Sequence, residues 1–365
     1  MRIILAIDLG KFKSVACIYN TADASHEFRT IRTTPPEVHD LIVRTLSDGE
    51  GNFRGRVVIE VGSAAGWVKD ICEVLGVEIQ IANPNHEAWR WRNIKRKTDK
   101  DDGLKMAKLS AMDQLPMVTL PSSQVRQWRN LIAYRHTLVG RRTAIKNNIR
   151  AILDRQGLSH AAGKSGWTLG AIERLREMSA VLEDVAADQL WRGMLHVELL
   201  ALEQIEGLIE PVEAKLEAMA RQDARVALLR TIPGVGPRLA ETVVAMIDDP
   251  KRFKTGKQVG AYAGLVPRQI ESGTMSRTGR ITGHGNKLLR GLLVEVSWLM
   301  RRYNPRLSAH FEQVCRGSKT RKKIAVVATA RKLLVICWAM LRDGTRWREP
   351  ILPGATPGAA TVMPT

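Results

Sequence analysis

The sequence is poor in cysteine, in long apolar runs and in acidic residues. Its four cysteines are scattered over 365 residues with no C-x-x-C pair, which excludes a disulfide framework and a cysteine-based zinc site and makes a reducing cytoplasm the expected compartment. No run of about 18 apolar residues is present, so we expect no membrane-spanning helix and no membrane partner. Because Met1-Arg2 leads directly into a strand-like stretch, we also expect no secretory signal.

Acidic residues are outnumbered, since 37 Asp and Glu stand against 56 Lys and Arg and give a formal net charge of +19. Such an excess on a folded chain favours a polyanionic partner, usually nucleic acid. On charge alone, a basic ribosomal or membrane-surface protein is the alternative. The positive charge falls in the blocks 121–160, 251–290 and 301–332, around an acidic stretch at 181–220. This alternation predicts modules with different roles.

Residues 1–85 have an α/β pattern. Three short runs separated by turns predict an antiparallel meander, and helices then alternate with two further strands. The predicted strands are Ile3–Ile7, Ser14–Tyr19, Glu27–Arg32, Arg56–Val61 and Glu78–Ala82, with helices after Pro36 and over Ala64–Leu75. This order is that of a ribonuclease-H-like (RuvC-like) domain, and also that of half an actin- or hexokinase-type domain. The second reading requires another strand-rich lobe, whereas the rest of this chain has a helical pattern.

Past residue 100 the periodicity predicts helices throughout. Apolar residues from Leu195 to Met219 recur every three or four positions, as in a coiled coil or bundle seam. Pro211 lies inside that stripe and predicts a kink or break. We therefore predict a RuvC-like domain at 1–118, a helical coiled-coil assembly region at 119–228, an all-α C-terminal domain at 229–342 and a disordered tail at 343–365.

Acidic residues follow two strands that are expected to be neighbours. Asp8 ends the first strand and Glu60 the fourth, and in a ribonuclease-H-like sheet these strands lie side by side. Asp99 and Asp102 are three apart at the start of a helix and share a face. Converging carboxylates are costly unless a cation neutralises them, and hard oxygen ligands suit Mg²⁺. Taken singly, each of these residues is equally compatible with a turn or a helix cap.

Two glycine-rich segments predict phosphate contact. In LLRTIPGVGPRLAETVVAMI, Gly234 and Gly236 match a helix–hairpin–helix signature whose backbone N–H groups can hold a DNA phosphate, although a tight helical turn without a ligand has the same pattern. In GLVPRQIESGTMSRTGRITGHGNKLLRGLL, composition does not single out Ser272 from its neighbouring hydroxyl residues. Basic residues that would contact nucleic acid are Arg268, Arg277, Arg280, Lys287 and Arg290 in this segment, and Arg141, Arg142 and Lys146 on the basic helix. The Trp89/Trp91 stretch is a further candidate surface for stacking.

Nearly the whole chain resembles the DEDD transposases of the insertion-sequence-110 type, the bridge-RNA-guided serine recombinases. The similar segments are AIDLGK, VVIEVG, KTDKDDG, IPGVGP and AGLVPRQIESG…GRITGHGNKLLRGLL. Position by position, the resemblance implies that the metal-binding acids are Asp8, Glu60, Asp99 and Asp102, and that Ser272 is the nucleophile. Three departures stand out: Gly103 where the family usually has Ala, Glu271 before the nucleophile where Ser is frequent, and the additional carboxylate Asp101.

The resemblance implies Mg²⁺-dependent DNA cleavage and strand exchange through a phosphoserine intermediate, at a site composed of two subunits. The implied partners are the DNA of the element ends and target, a guide (bridge) RNA, and further copies of the chain in a homodimer or homotetramer. Such a protein is expected in the bacterial cytoplasm, associated with the nucleoid when bound to DNA. Two alternatives stay open: a junction nuclease that uses metal-activated water, and a non-enzymatic helix–hairpin–helix DNA-binding protein.

Overall fold

A computed structural model of the chain describes residues 3–83, 98–272 and 275–348; at 270–272, 275–276 and 278 it describes the backbone alone. The chain divides into two compact units, Met1–Arg126 and Gln127–Thr365. This division does not test the predicted boundary between an assembly region and a C-terminal domain at residue 228, which stays a prediction.

The first unit is built on a five-stranded mixed sheet. Its elements are β1 (Ile3–Asp8), β2 (Lys13–Asn20), β3 (His26–Arg32), α1 (Pro35–Leu46), β4 (Gly55–Glu60), α2 (Ala65–Leu75), β5 (Glu78–Ala82) and α3 (Asp99–Ala111). The strand order is β3-β2-β1-β4-β5. β2 pairs antiparallel with both β1 and β3, whereas β4 pairs parallel with both β1 and β5. The predicted meander and the adjacency of the first and fourth strands are therefore confirmed.

The central strands β1 and β4 are almost entirely apolar and are buried on both faces of the sheet, whereas the edge strand β3 is mostly exposed. Leu5 and Ile7 of β1 face a core shared with α1 and α2. Ile4 and Ala6, which alternate with them along the strand, pack with Met106 of α3 on the other face. The helix that carries the last two predicted ligands thus covers the sheet beside β1.

The second unit is mainly helical. Its helices are α4 (Ser123–Arg155), α5 (Leu169–Met178), α6 (Leu190–Gln222), α7 (Ala224–Leu229), α8 (Pro237–Ile247), α9 (Gly256–Tyr262), α10 (Lys287–Tyr303), α11 (Pro305–Cys315) and α12 (Lys322–Asp343). One prediction for this part is wrong. The C-terminal domain is not all-α, because Pro267–Ser272 (β6) and Met275–Ile281 (β7) form an antiparallel two-stranded ribbon. Its β-branched and polar residues favour a strand pair, which the glycine and hydroxyl content of the segment obscured.

The long helices α4 and α6 pack against each other in antiparallel orientation. Arg135 donates to Glu213 over 2.8 Å at one end, and Lys146 pairs with Glu206 at 3.3 Å further along. The apolar stripe of α6, from Leu195 to Ile209, is buried with apolar residues of α4 of the same chain. Of the predicted kink or break at Pro211, the break is wrong, since α6 continues through it with Pro211 exposed, and the kink stays a prediction. The predicted coiled-coil seam is thus used for packing within the chain.

The remaining helices enclose a core around α8, α10 and α12. By length and composition alone, Lys319–Asp343 is the one helical stretch among the described residues that could cross a membrane, and half of its apolar window is buried inside the protein. A buried core helix of a globular domain can have the same length and composition. The ordered chain also continues past the predicted domain end at 342, because the backbone N–H of Trp347 donates to Thr231 Oγ1 over 3.1 Å.

Candidate functional site

Asp8 and Glu60 end two neighbouring parallel strands. The register pairs Ile7 with Ile59, which places the next residue of each strand at the same edge of the sheet. Both acidic residues are half-buried there. The turn after Asp8 is tight, because a Cβ on Gly10 would overlap the carbonyl oxygen of Lys13. The sequence AIDLGK therefore brings the chain back into β2 immediately beside Asp8.

The three aspartates at the start of α3 have different roles in the fold. Asp101 forms a capping box with Thr98: its carboxylate accepts from the Thr98 backbone N–H at 3.1 Å and from the Thr98 hydroxyl at 2.6 Å. This interaction uses the additional carboxylate to start the helix. Asp99 is exposed and Asp102 is half-buried. The capping hydrogen bonds thus distinguish Asp101 from Asp99 and Asp102, the two predicted ligands, whereas the sequence alone does not distinguish the three aspartates.

Close packing fixes the position of α3 on the sheet. An added Cβ on Gly103 would lie 3.4 Å from the Cβ of Cys17 and 3.9 Å from the carbonyl oxygen of Ala6. Ala6 is two residues before Asp8, so the first turns of α3 lie over the strand that carries that acid. Burial in this contact raises the pKa of the Cys17 thiol to about 11, so the thiol acts as a small apolar group.

The other end of α3 is held by polar contacts. Arg56 of β4 donates to the Ser110 carbonyl oxygen over 3.1 Å, and the Ser110 hydroxyl donates to Gln80 of β5 over 2.7 Å. Arg56 also lies 3.5 Å from both Glu78 and Asp113. Arg56 and its contacts with Ser110, Glu78 and Asp113 are called the Arg56 clamp. The sequence did not predict it, because a single arginine in a strand has no distinctive pattern.

The predicted ligands fit a divalent cation in chemistry and in placement. All four are carboxylates, which are the hard oxygen donors that Mg²⁺ prefers, and the structure brings Asp8 and Glu60 to one sheet edge with α3 beside them. Within residues 3–83, 98–272 and 275–348, however, no three His, Cys, Asp or Glu side chains are close enough together to hold a metal ion. The residues present can supply the donors, but their side chains do not form a closed cage.

The predicted hairpin is a short glycine turn between α7 and α8. Gly234 has a φ of +86°, which only glycine adopts without strain, and Ile232 and Val235 are buried. Gly234 packs on α10, because a Cβ there would lie 3.0 Å from Met300 and 3.1 Å from Tyr303. Gly236 precedes α8 with open space around it, so its side of the turn is accessible.

Three arginines hold the far end of α8. Arg129 donates to the carbonyl oxygens of Ala245 and Met246 over 2.7 and 3.0 Å. Arg252 donates to those of Ile247 and Met246, both over 3.0 Å. Arg225 reaches the Asp248 carbonyl oxygen over 3.2 Å. Cations at a helix C-terminus satisfy free carbonyl groups and stabilise the helix dipole, so these basic residues support the hairpin instead of facing a ligand.

The ribbon carrying Ser272 rises from an interlocked base. Gly264 and Gly285, both with positive φ, lie so close to the His284 and Tyr262 carbonyl oxygens that neither position has room for a Cβ. The backbone N–H of Asn286 donates to Tyr262 over 3.1 Å. Arg290, predicted to contact nucleic acid, donates to the Ala263 carbonyl oxygen over 2.9 Å and so braces this base.

Ser272 is the last residue of β6 and is paired with Met275 across a two-residue connection. Glu271 pairs with Ser276, so the register places these consecutive residues on opposite faces of the ribbon. Arg277 pairs with Ile270, two positions before Ser272, and thus shares the face of Ser272.

The other predicted nucleic-acid contacts differ in exposure. Arg268, Arg277, Arg280, Lys287 and Arg141 are exposed, and Arg142 is half-buried. Lys146 is engaged within the fold, since it pairs with Glu206 and lies 4.9 Å from the ring centre of Trp167. The Trp89/Trp91 stretch lies outside the described residues.

Comparison with known proteins gives two family matches. Residues 5–157 match the DEDD transposase family of the IS110 type, and residues 226–312 match the IS116/IS110/IS902 transposase family. The first match contains Asp8, Glu60, Asp99 and Asp102, and the second contains the glycine hairpin and Ser272.

Relatives match over most of the chain. The transposase for insertion sequence element IS1328 of Yersinia enterocolitica is 30% identical over 256 residues, covering 68% of this chain and 73% of that protein. A probable family 20 transposase of Pseudomonas aeruginosa is 27% identical over 289 residues, covering 79% and 83%. A pilin gene-inverting protein of Moraxella lacunata is 34% identical over 122 residues, covering 33% and 37%. The chain belongs to the IS110 family of transposases.

Proposed function

We propose that this transposase cleaves and rejoins DNA through a covalent serine–phosphate intermediate formed by Ser272, assisted by a divalent cation held by Asp8, Glu60, Asp99 and Asp102. The observation that carries the proposal is the placement of these residues. Asp8 and Glu60 end adjacent parallel strands within one family match, and Ser272 ends β6 at the ribbon tip within the other.

The chemistry follows from the residue types. The Ser272 oxygen attacks the scissile phosphorus, the new Oγ–P bond replaces the P–O bond of the strand, and the leaving strand oxygen takes up a proton. Because the phosphodiester energy is kept in the covalent link, attack by another strand end can restore DNA without an external energy source. When bound, Mg²⁺ polarises the phosphate and neutralises the converging carboxylates. Divalent-metal dependence is typical of DEDD transposases.

The ribbon geometry supports a site assembled from two subunits. Five residue steps separate Pro267 at the base from Ser272, which at about 3.3 Å per residue gives an arm of roughly 17 Å. We propose that an arm of that length carries Ser272 away from its own helical domain. We propose that it reaches the carboxylates of another copy, as the family resemblance implies.

Glu271 is compatible with this role. The concern raised by its sequence position is that a carboxylate beside the nucleophile repels phosphate. The register assigns Glu271 to the face opposite Ser272 and assigns Arg277 to the same face as Ser272. We propose that the cation at 277 stabilises the phosphate charge during attack.

We further propose that the five-stranded sheet is ribonuclease-H-like and that a guide RNA selects the DNA sequence. The strand order β3-β2-β1-β4-β5 and the paired strand-end acids support the first point. The net charge of +19 supports binding of more than one nucleic-acid strand. A relative named for inverting a pilin gene supports recombination as the reaction class.

Asp101 and Asp102 provide a matched test of the carboxylate site. Asp102→Asn should abolish Mg²⁺-dependent cleavage of element-end DNA while leaving DNA affinity intact. Asp101→Asn should retain cleavage, because an amide oxygen can still accept the hydrogen bonds from Thr98. Equal activity of both variants would contradict the assignment, and so would equal loss.

A further inference from the structure

The surface beside the glycine hairpin is cationic and is contributed by elements outside the hairpin. Tyr303, the last residue of α10, lies against Gly234 and is exposed. On the other side, Trp347 donates its backbone N–H to Thr231 at the start of the turn. The guanidinium of Arg306 lies 5.7 Å from the ring centre of Trp347. Arg306 therefore borders the hairpin through a direct chain of contacts.

Arg306 belongs to a cluster of basic groups at the contact between α11 and α12. His310 is one helical turn after Arg306 on the same face of α11. This helix packs on α12, where His310 is hydrogen-bonded to the Ala328 backbone and where Lys332 is near enough for its charge to act on His310 and Arg306. Burial and the nearby Arg306 lower the pKa of Lys332, and burial and Lys332 lower the pKa of His310. No acidic residue contributes to either shift. Arg306 and Lys332 therefore repel each other in the free protein, whereas the lowered pKa favours the neutral form of His310, which is hydrogen-bonded to Ala328 and Gln313.

Paired and unpaired arginines lie close together in this part of the chain. Arg301 is neutralised by Glu312 at 3.1 Å and lies 4.4 Å from the ring centre of Phe311. In contrast, no carboxylate of the described residues forms an ion pair with Arg302, Arg306 or Lys332. Arg302 and Arg306 are both exposed. A fold that pairs one arginine and leaves its neighbours unpaired has cations available for an external anion.

We propose that Arg306 and Lys332, with Arg302 beside them, form a phosphate-binding surface that continues the hairpin and holds the backbone of duplex DNA. The inference rests on the proposed DNA-cleaving function and assigns to it a contact surface made by α11 and α12. Duplex DNA is the favoured ligand because the hairpin turn presents backbone N–H groups, and the adjoining cations bind phosphate without reading bases. Trp347 is packed against the core, so among the described residues of this surface Tyr303 is the single exposed ring, which is fewer than the series of rings on which successive unstacked bases stack.

A second consequence concerns stability. If Lys332 and Arg306 were structural, removing one charge would destabilise the protein. If they bind an external anion, Lys332→Gln removes the repulsion between Lys332 and Arg306 in the free protein and lowers affinity for DNA. The expected pattern is an unchanged or raised unfolding temperature together with weaker binding, which is the trade-off typical of functional sites.

The test is the salt dependence of binding to labelled duplex DNA about two helical turns long, measured by fluorescence anisotropy between about 50 and 200 mM salt. Arg306→Gln and Lys332→Gln should each lower affinity several-fold and reduce the slope of log K against log salt by up to about 0.9 per lost phosphate contact. Arg301→Gln is the matched control and should keep the wild-type slope, because its cation is already paired.

If both variants keep the wild-type slope of log K against log salt and a native circular dichroism spectrum, the proposed phosphate-binding surface is wrong. A loss confined to single-stranded RNA, with duplex binding unchanged, would overturn the assignment to DNA. Failure of the proposed function would give a different result. The variants would show the predicted slopes and wild-type protein would bind duplex DNA, but wild-type protein would not cleave that DNA with Mg²⁺. In that case the phosphate surface stands and the serine chemistry does not.

Discussion

Gly264 lies against the carbonyl oxygen of His284 so closely that no residue with a Cβ fits there. Gly285 has the same relationship with the Tyr262 carbonyl oxygen. These two contacts join the segments AGLVP and GHGNK, which flank the ribbon in the sequence. The glycines of these two segments are therefore explained by one structural requirement, a rigid base from which the strand carrying Ser272 extends.

Gly264→Ala should destabilise this base. The added methyl overlaps a carbonyl group, and the positive φ of +68° adds backbone strain, so we expect a loss of about 2–4 kcal/mol in the free energy of unfolding. Gly291→Ala is the control, because Gly291 lies in α10 with open space around it and alanine should gain about 0.5–1 kcal/mol. Thermal unfolding measures both. A neutral Gly264→Ala would show that the two segments separate easily.

Gly103, the departure from the family pattern, should tolerate alanine. The added Cβ would make ordinary contacts with Cys17 and Ala6, and replacing glycine inside α3 should stabilise the protein by about 0.5–1 kcal/mol. Gly103→Val should instead push α3 off the sheet and weaken Mg²⁺-dependent cleavage through Asp102. Chemical unfolding and a cleavage assay distinguish the two variants. Destabilisation by alanine would mean that α3 packs more tightly on β1 and β2 than described.

Arg56 should matter more than the neighbouring Arg54. Arg56→Met removes the hydrogen bond to the Ser110 carbonyl oxygen and leaves this end of α3 with only the Ser110–Gln80 hydrogen bond of the two polar contacts described, for an expected cost of about 1.5–3 kcal/mol. Arg54 is largely exposed and pairs with Asp48 at 3.2 Å, so Arg54→Met should change stability by less than about 1 kcal/mol. Urea unfolding compares them. Similar losses in both variants would contradict the clamp.

Glu241 gives a prediction about pH. Burial raises the pKa of this carboxyl, and pairing with Arg238 at 3.2 Å only partly offsets that effect. A raised pKa in the folded state means that the neutral form is favoured, so its stabilisation is present below the unfolded pKa and is lost as pH rises through the folded pKa. Glu241→Gln should therefore raise the unfolding temperature at pH 7 and lose this advantage near pH 4. The opposite order would show that the Arg238 pair outweighs burial.

The sheet and its strand-end acids were predictable because local patterns determine them. Alternating apolar runs give the strands, and parallel β1 and β4 necessarily bring Asp8 and Glu60 to one edge. The separate role of Asp101 was not predictable, since a capping aspartate and a ligand aspartate have the same letter in KTDKDDG. Only the hydrogen bonds to Thr98 distinguish them.

Two other features depended on tertiary contacts. The stripe on α6 indicates an apolar partner but does not identify it, and the structure supplies α4 of the same chain. The ribbon was missed because its strands are stabilised by a base formed from Gly264 and Gly285, which are separated by the whole ribbon in sequence. The hydrogen bond from Arg290 to the Ala263 carbonyl oxygen was not predictable for a similar reason, since the two residues are distant in sequence.

The most direct test of the central claim is a covalent-trapping assay. Wild-type protein, Ser272→Ala and the control Ser276→Ala would each be incubated with Mg²⁺, element RNA and labelled element-end DNA, then resolved on a denaturing gel. We predict a protein–DNA adduct in wild type and in Ser276→Ala, and none in Ser272→Ala. Cleaved DNA without an adduct, at equal yield in all three proteins, would contradict the serine mechanism and identify a nuclease that uses water.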